Sequence, residues 1–296
     1  MDTQNLAAFL QVATTGSFSL AAEKLHLTQP AVSKRVAQLE ARLEAQLFDR
    51  IGRHVSVTEA GAALLPHARA VQRDLLAAEQ SVRDLAGEVA GRLKLATSHH
   101  IGLHRLPPVL RHFSTQYPGV QLDIDFMDSE QAYDQTLRGE IELAVVTLAP
   151  ETLPHIVARE VWPDPLDFMV QPGHPLTRYT SLDIALLSPV PAVLPGLNTY
   201  TGQIVERTFA QRGVPLAVAM TTNYLETIRM MASVGLGWTI LPRSMADASL
   251  ATLPVTGARL QRSLGVIYHE GRSLSRAARA FMQSLGLFGE RAADAS

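Results

Sequence analysis

Residues 17–58, SFSLAAEKLHLTQPAVSKRVAQLEARLEAQLFDRIGRHVSVT, constrain this chain more than any other stretch. Val32, Val36, Leu39 and Leu43 recur at i, i+4, i+7 and i+11, which predicts a helix over 29–43 with that stripe buried. The opposite face carries Pro30, Ser33, Lys34, Ala37 and Gln38, small or hydrogen-bonding side chains with one cation and no acid, as entry into a major groove requires. Thr28 stands where a cap is needed, and Pro30 is harmless in a first turn whose N–H groups have no intrahelical partner. That open helix start can face a phosphate. Phe18, Leu20, Ala21, Ala22 and Leu25 predict a short preceding helix, and His26-Leu27 leave room only for a tight turn, so the two helices must cross steeply. Leu47 to Arg50 and Val55 to Val57, with Gly52 between them, predict a hairpin bearing Arg50, Arg53 and His54 near its tip. The expected unit is a winged helix-turn-helix: Gln29, Ser33 and Lys34 on base edges, and Arg35, Arg50 and Arg53 on phosphates.

Gly16-Ser17-Phe18-Ser19-Leu20-Ala21-Ala22-Glu23-Lys24-Leu25, Thr28-Gln29-Pro30-Ala31-Val32-Ser33-Lys34, Leu39-Glu40, Leu47-Phe48-Asp49-Arg50 and Thr58-Glu59-Ala60-Gly61 resemble, without gaps, the DNA-binding domain of LysR-type transcriptional regulators. One position departs: Glu44 stands where the family usually has glycine after the reading helix. A non-glycine residue in a left-handed helix terminus costs on the order of 1 kcal/mol, so the helix is expected to run on further here.

At 296 residues the chain holds two or three compact units, and 47% hydrophobic with 18% charged residues is a globular composition. The absence of cysteine excludes disulfides, thiolate-bound zinc and thiol redox sensing. The opening MDTQNLAAFLQVATT lacks a basic leader and a continuous apolar core, and no run of about eighteen apolar residues occurs. A cytoplasmic protein with no membrane partner is expected. The net charge is −2, and residues 1–58 carry six Lys and Arg against five Asp and Glu, a net of +1. So weakly basic a domain needs a dimer or larger assembly to engage several half-sites of double-stranded DNA together.

Leu6, Phe9, Leu10 and Ala13 predict a first helix over 3–15. From Thr58 a long helix to about residue 86 carries Ala68, Val71, Leu75, Ala78, Val82 and Leu85 at alternating spacings of three and four, a seam for pairing with a second copy. Pro66 is expected to bend it, and residues 87–91, GEVAG, to end it as a hinge. Beyond Arg92 short apolar strands alternate with helices, as in α/β folds with a largely parallel sheet. The expected domains are a winged helix-turn-helix over 1–58, a linker helix and hinge over 59–91, and a two-lobed effector domain over 92–296. Lobe 1 covers about 92–161 and 267–296, and lobe 2 about 162–266. Leu106-Pro107-Pro108-Val109-Leu110, Tyr117-Pro118-Gly119-Val120, residues 137–144, Gly173-His174-Pro175-Leu176 and residues 235–242 resemble LysR effector domains more weakly. That resemblance implies a fold like periplasmic solute-binding proteins with a cleft between lobes, and the family's usual homotetramer, or at least a homodimer.

Small molecules bind beyond the carboxyl ends of strands in such sheets. Thr97, Ser98, His99 and His100 follow the first strand, Tyr200, Thr201 and Gly202 open a helix of the other lobe, and Thr147 ends a third strand. Hydroxyls and free N–H groups at helix starts suit a small anion, although each such residue alone is also an ordinary cap. Asn223 is a weaker candidate. No arginine clamp stands out, which leaves His99 or His100 as the cation, with affinity falling as pH rises through about 6.5. Ser98 and His99 lack the carboxylate of a catalytic set, and His100 and His104, at i and i+4, lack a third metal ligand nearby. The reading therefore assigns no catalytic residue, no metal and no cofactor. Among LysR-type regulators the two clusters look most like regulators of sulfur assimilation. A solute-binding protein without a regulatory role is the alternative.

Overall fold

The computed structural model describes residues 2–51, 54–84 and 89–293. The chain divides into two compact units at Gly87 and Glu88.

The first unit opens with α1 (Thr3–Thr15), α2 (Phe18–Lys24) and α3 (Gln29–Leu43). Asp2 and Ser17 cap the first two by accepting the N–H groups of Gln4 and Leu20. His26 takes a left-handed conformation, φ 53°, and makes the tight turn into α3. Val32, Val36 and Leu39 are buried against Phe9, Phe18, Leu47 and Phe48. Leu43, the last of the expected stripe, is 39% exposed. The helix does not run on: it stops at Leu43, and Glu44 itself adopts the left-handed cap at φ 51°, ψ 33°. The turn is pinned by Glu40, whose backbone carbonyl accepts the N–H of Glu44 and whose carboxylate accepts that of Leu47 at 2.8 Å. Thr28 occupies the N-cap position of α3, but its side chain makes no capping hydrogen bond.

Strands β1 (Phe48–Ile51) and β2 (His54–Val57) pair antiparallel, Phe48 opposite Val57 and Ile51 opposite His54. Residues 52–53, including Arg53, and the side chains of Arg50 and His54 lie outside the described residues. Helix α4 (Glu59–Asp84) follows, and Pro66 sits inside it without ending it. A Cβ on Gly61 would come within 2.3 Å of the Leu47 carbonyl, so only glycine lets the first turn of α4 lie this close to the chain entering β1. Ala68 is fully buried in this unit's core rather than on an outward seam. Val71 and Leu75 are 39% and 44% exposed, so the unpartnered part of the seam begins with them. The Val82 side chain, Leu85 and residues 87–88 of the expected hinge lie outside the described residues.

The second unit contains β3 (Gly91–Thr97), α5 (His99–His104), α6 (Leu106–Gln116), β4 (Val120–Phe126), α7 (Ser129–Leu137), β5 (Leu143–Thr147) and β6 (Ile156–Val170). It continues with β7 (Ala192–Leu194), α8 (Tyr200–Ala210), β8 (Val218–Thr221), α9 (Leu225–Ser233), β9 (Thr239–Pro242), β10 (Ala251–Thr252), β11 (Leu260–His269) and α10 (Arg276–Ala293). One sheet runs in the order β10-β6-β11-β5-β3-β4, with β9 also on β6. It is mixed rather than largely parallel: β3 pairs parallel with β4 and β5, whereas β11 pairs antiparallel with both β5 and β6.

All five residues of β5 are buried, because helices cover both faces of the sheet. On one face Leu95, Val145, Phe113, Phe281 and Trp162 form the larger core of the first lobe. Ala144, Val146, Tyr133 and Ile267 fill the other face. The second lobe is built around Phe168, Phe209, Trp238 and Ile240. The tail, through β11 and α10, returns to the first lobe as expected. Two strands are much longer than the sequence pattern indicated: β6 has fifteen residues and β11 ten, and together they form an antiparallel ribbon shared by both lobes. Pro163 and Pro165 hide β6 from a propensity reading. They are tolerated because β6 gains neighbours on its second edge, β9 and β10, only from Leu166 onward.

Candidate DNA interface and ligand cleft

In the first unit the outward face of α3 presents Gln29, Pro30, Lys34 and Gln38 exposed and Ser33 half-buried. Gln29 donates from Nε2 to Ser33 Oγ at 3.0 Å, so the pair is pre-set one helical turn apart. Arg35, also half-buried, donates to Gln4 Oε1 at 2.8 Å and is held against α1. Asn5 and Gln38 approach at 3.4 Å beside it. The helix therefore hides an apolar stripe and shows polar side chains with a single lysine, as its spacing predicted.

In the second unit Ser98, His99, His100, Thr147 and Thr201 line one cleft. The candidates from the two lobes thus come together, but with differing roles. Thr97 is fully buried and donates its hydroxyl to the Val145 carbonyl at 2.8 Å, so it ties β3 to β5 and does not line the cleft. Ser98 caps nothing with its side chain and faces the space. Thr147 is 5% exposed, and its N–H is taken by Ser129 Oγ. His99 is exposed and packed between Phe126 and Tyr224, with ring centroids 5.4 and 4.9 Å away.

The start of α8 is already occupied from within the chain. Tyr200 donates its N–H to the carboxylate of Glu130, and Gly202 donates to Thr199 Oγ1 at 3.0 Å. Gly202 lies so close to Gly196 that a Cβ would stand 2.2 Å from its carbonyl oxygen, so this glycine serves packing. Burial raises the pKa of Glu130 above its ordinary value. Asn223 also borders the cleft, donating to Asp128 at 2.7 Å and accepting from Gly196 N–H at 3.2 Å.

The arginine that sequence reasoning missed is Arg262, on β11. It is 6% exposed and directly opposite Asp164 of β6. Its Nε donates to Asp164 Oδ2 at 2.8 Å and its Nη1 to Thr201 Oγ1 at 2.9 Å, while Nη2 is buried without a partner. Arg105 holds the other Asp164 oxygen at 3.0 Å. Two guanidiniums on one carboxylate leave a positive charge of +1 at the cleft floor. The signal was the pattern Leu260, Arg262, Leu264, a cation on the inward face of an alternating strand. His100 does not supply the charge: burial, reinforced by Arg262, lowers its pKa to about 4, so it is neutral near pH 7. The reading of His100 and His104 as a pair without a third ligand is also corrected, since Glu226 Oε1 lies 2.7 Å from His104 Nε2.

A winged helix-turn-helix ahead of a two-lobed α/β unit is the architecture of one class of bacterial regulators, and comparison with known proteins agrees. Residues 3–62 match the bacterial regulatory helix-turn-helix, lysR family, and residues 86–287 the LysR substrate binding domain. The chain belongs to the LysR family of transcriptional regulators. The RuBisCO operon transcriptional regulator of Acidithiobacillus ferrooxidans is 32% identical over 285 residues, 95% of this chain and 92% of that one. CysB of Haemophilus influenzae is 31% identical over 237 residues, 78% of this chain and 72% of its own length. Among solved structures, full-length CbnR complexed with its target DNA superposes with a TM-score of 0.67 at 22% identity, covering 97% of this chain and 100% of that one. The Synechocystis CcmR regulatory domain in complex with 2-PG gives 0.62 at 22%, covering 68% and 98%. Among the described residues no helix is long and apolar enough to cross a membrane.

Proposed function

We propose that this regulator reads its operator through Gln29, Ser33 and Lys34 on base edges, with Arg35, Arg50 and Arg53 on phosphates and Thr28 and Pro30 opening the reading helix toward the backbone. Its domains are a winged helix-turn-helix over 1–58, a linker over 59–91 that pairs two copies through the seam from Val71, and an effector domain over 92–296. Its working assembly is a homotetramer in the cytoplasm, and it catalyses no reaction of its own. The effector is a small anion, held between the lobes by Ser98, His99, His100, Thr147, Thr201 and Arg262.

The observation that carries this reading is the unpartnered Nη2 of Arg262. A guanidinium N–H buried without an acceptor is costly by about 1–3 kcal/mol, more for a charged group, and a carboxylate or phosphate oxygen in the cleft would satisfy it. The CcmR regulatory domain, of the same fold, has its structure in complex with 2-PG.

The test is a thermal-shift screen of small carboxylates and phosphorylated carboxylates, 2-PG included, on the full chain, paired with mobility shifts on the DNA upstream of its own gene at several salt concentrations. A stabilising anion whose effect vanishes in Arg262→Met, with selective DNA binding retained, supports the reading. A stabilising anion that acts equally on both chains sinks it. Loss of selectivity as salt rises would instead favour a solute-binding role.

A further inference from the structure

We propose that His100, His104 and Glu226 form a binding site for one divalent transition-metal ion, of the kind zinc exemplifies, joining α5 of the first lobe to α9 of the second. One ligand atom from each residue lies within 4.8 Å of the others. The two histidines are i and i+4 on α5, so both rings emerge on one face, with centroids 4.9 Å apart. Glu226 projects from the first turn of α9 and already meets His104 Nε2 at 2.7 Å.

What distinguishes this cluster from an ordinary surface ion pair is His100. It is 5% exposed, and neither ring nitrogen has a hydrogen-bond partner. A buried imidazole lacking any partner is an unexplained polar group, and a metal ion supplies what both the ring and its surroundings lack. The ring is also in the right form, since burial holds its pKa near 4 and ligation at neutral pH displaces no proton from it. Burial alone would raise the Glu226 carboxyl, but the hydrogen bonds from His104 and from its own backbone, together with the charges of His104 and His100, lower it overall and favour the ionised form.

Two ligands on a tetrahedral ion with bonds of about 2.0–2.1 Å stand roughly 3.3–3.4 Å apart. The His104 to Glu226 contact would open slightly and the longest separation would close by side-chain rotation. Two histidines and a carboxylate leave a further position to water, the donor set of zinc sites that are not purely structural. This site stands whether or not the neighbouring cleft takes an anion, although the two share His100.

The experiment uses the full chain stripped by a chelator, then titrated with Co²⁺ followed by visible absorption and with Zn²⁺ in competition with a chromophoric chelator. With no cysteine in the chain, no thiolate contributes to either signal. The expected result is one ion per chain, with affinity reduced at least 10-fold in both His104→Ala and Glu226→Gln and unchanged in His155→Ala, which removes a histidine paired with Glu270 elsewhere. The His104 and Glu226 side chains are 41% and 34% exposed, so both variants should fold, and melting curves check this. Full affinity in either variant, or no ion bound beyond what His104→Ala retains, overturns the proposal.

Discussion

Arg262 and Asp164 stand directly opposite one another on the ribbon shared by the two lobes, and the carboxylate, 1% exposed, accepts from Arg262 and from Arg105 at once. Removing the anion would leave Arg262 buried beside a second cation with nothing to balance either. Asp164→Asn is therefore expected to destabilise the effector unit by about 3–5 kcal/mol, the usual consequence of breaking a buried pair. Urea unfolding measures this, and a loss below about 1 kcal/mol would mean that water already screens the triad.

His100 should make the metal-free effector unit acid-sensitive. In the unfolded chain an imidazole gains its proton near pH 6.5, whereas in the fold it does so near 4. Between those values the unfolded state binds more protons, so stability is lost as pH falls from 6.5 toward 4, on the order of 3 kcal/mol in all. Glu130 acts in the opposite sense: with its folded pKa raised, the stability it contributes is present at low pH and declines as pH rises above the unfolded value. The difference between the native chain and His100→Leu isolates the histidine. A difference independent of pH across this window would contradict the assignment.

Glu44 offers a stabilising substitution. Its left-handed backbone is strained for any residue with a Cβ, and its exposed side chain lies outside the apolar core of this unit. Glu44→Gly is expected to raise the stability of the first unit by about 0.5–1 kcal/mol, the relief of strain exceeding the added entropy of the unfolded chain. Denaturant unfolding that shows Glu44→Gly less stable would imply a role for the carboxylate that its surroundings do not reveal.

Lys34→Ala should weaken operator binding by about 1–3 kcal/mol if the amine meets a base edge, while leaving competition by unrelated DNA nearly unchanged. Equal weakening on both DNAs would place Lys34 on the phosphate backbone.

The helix-turn-helix was legible because its signals are local: a 3.6-residue apolar period, two turn residues and a glycine between β-prone runs. Even there, the end of α3 was misjudged, since intrinsic backbone preference argued against Glu44 as a left-handed cap and the hydrogen bonds that Glu40 accepts from the following chain overrode it. The alternation of strands and helices in the second unit was readable too, and it brought Ser98, Thr147 and Thr201 to one cleft. What escaped was set by pairing between distant segments. Arg262 meets Asp164 across 98 positions of sequence, and His104 meets Glu226 across 122. No period or spacing encodes such partners. Only the odd placement of an arginine among inward leucines, and of an aspartate between two prolines, hinted at the first pair.

The long strands β6 and β11 have a mechanical meaning. Because the same two segments continue from one half of the cleft to the other, opening or shutting the gap cannot proceed by swinging on a slack tether; it must twist a hydrogen-bonded plank. The ladder already slips at Leu264 and Gly265, and a Cβ on Gly265 would lie 2.2 Å from the Arg159 carbonyl oxygen. That irregularity, three residues from Arg262, is where torsion would be least resisted, so whatever grips the guanidinium also holds the plank beside its weakest point.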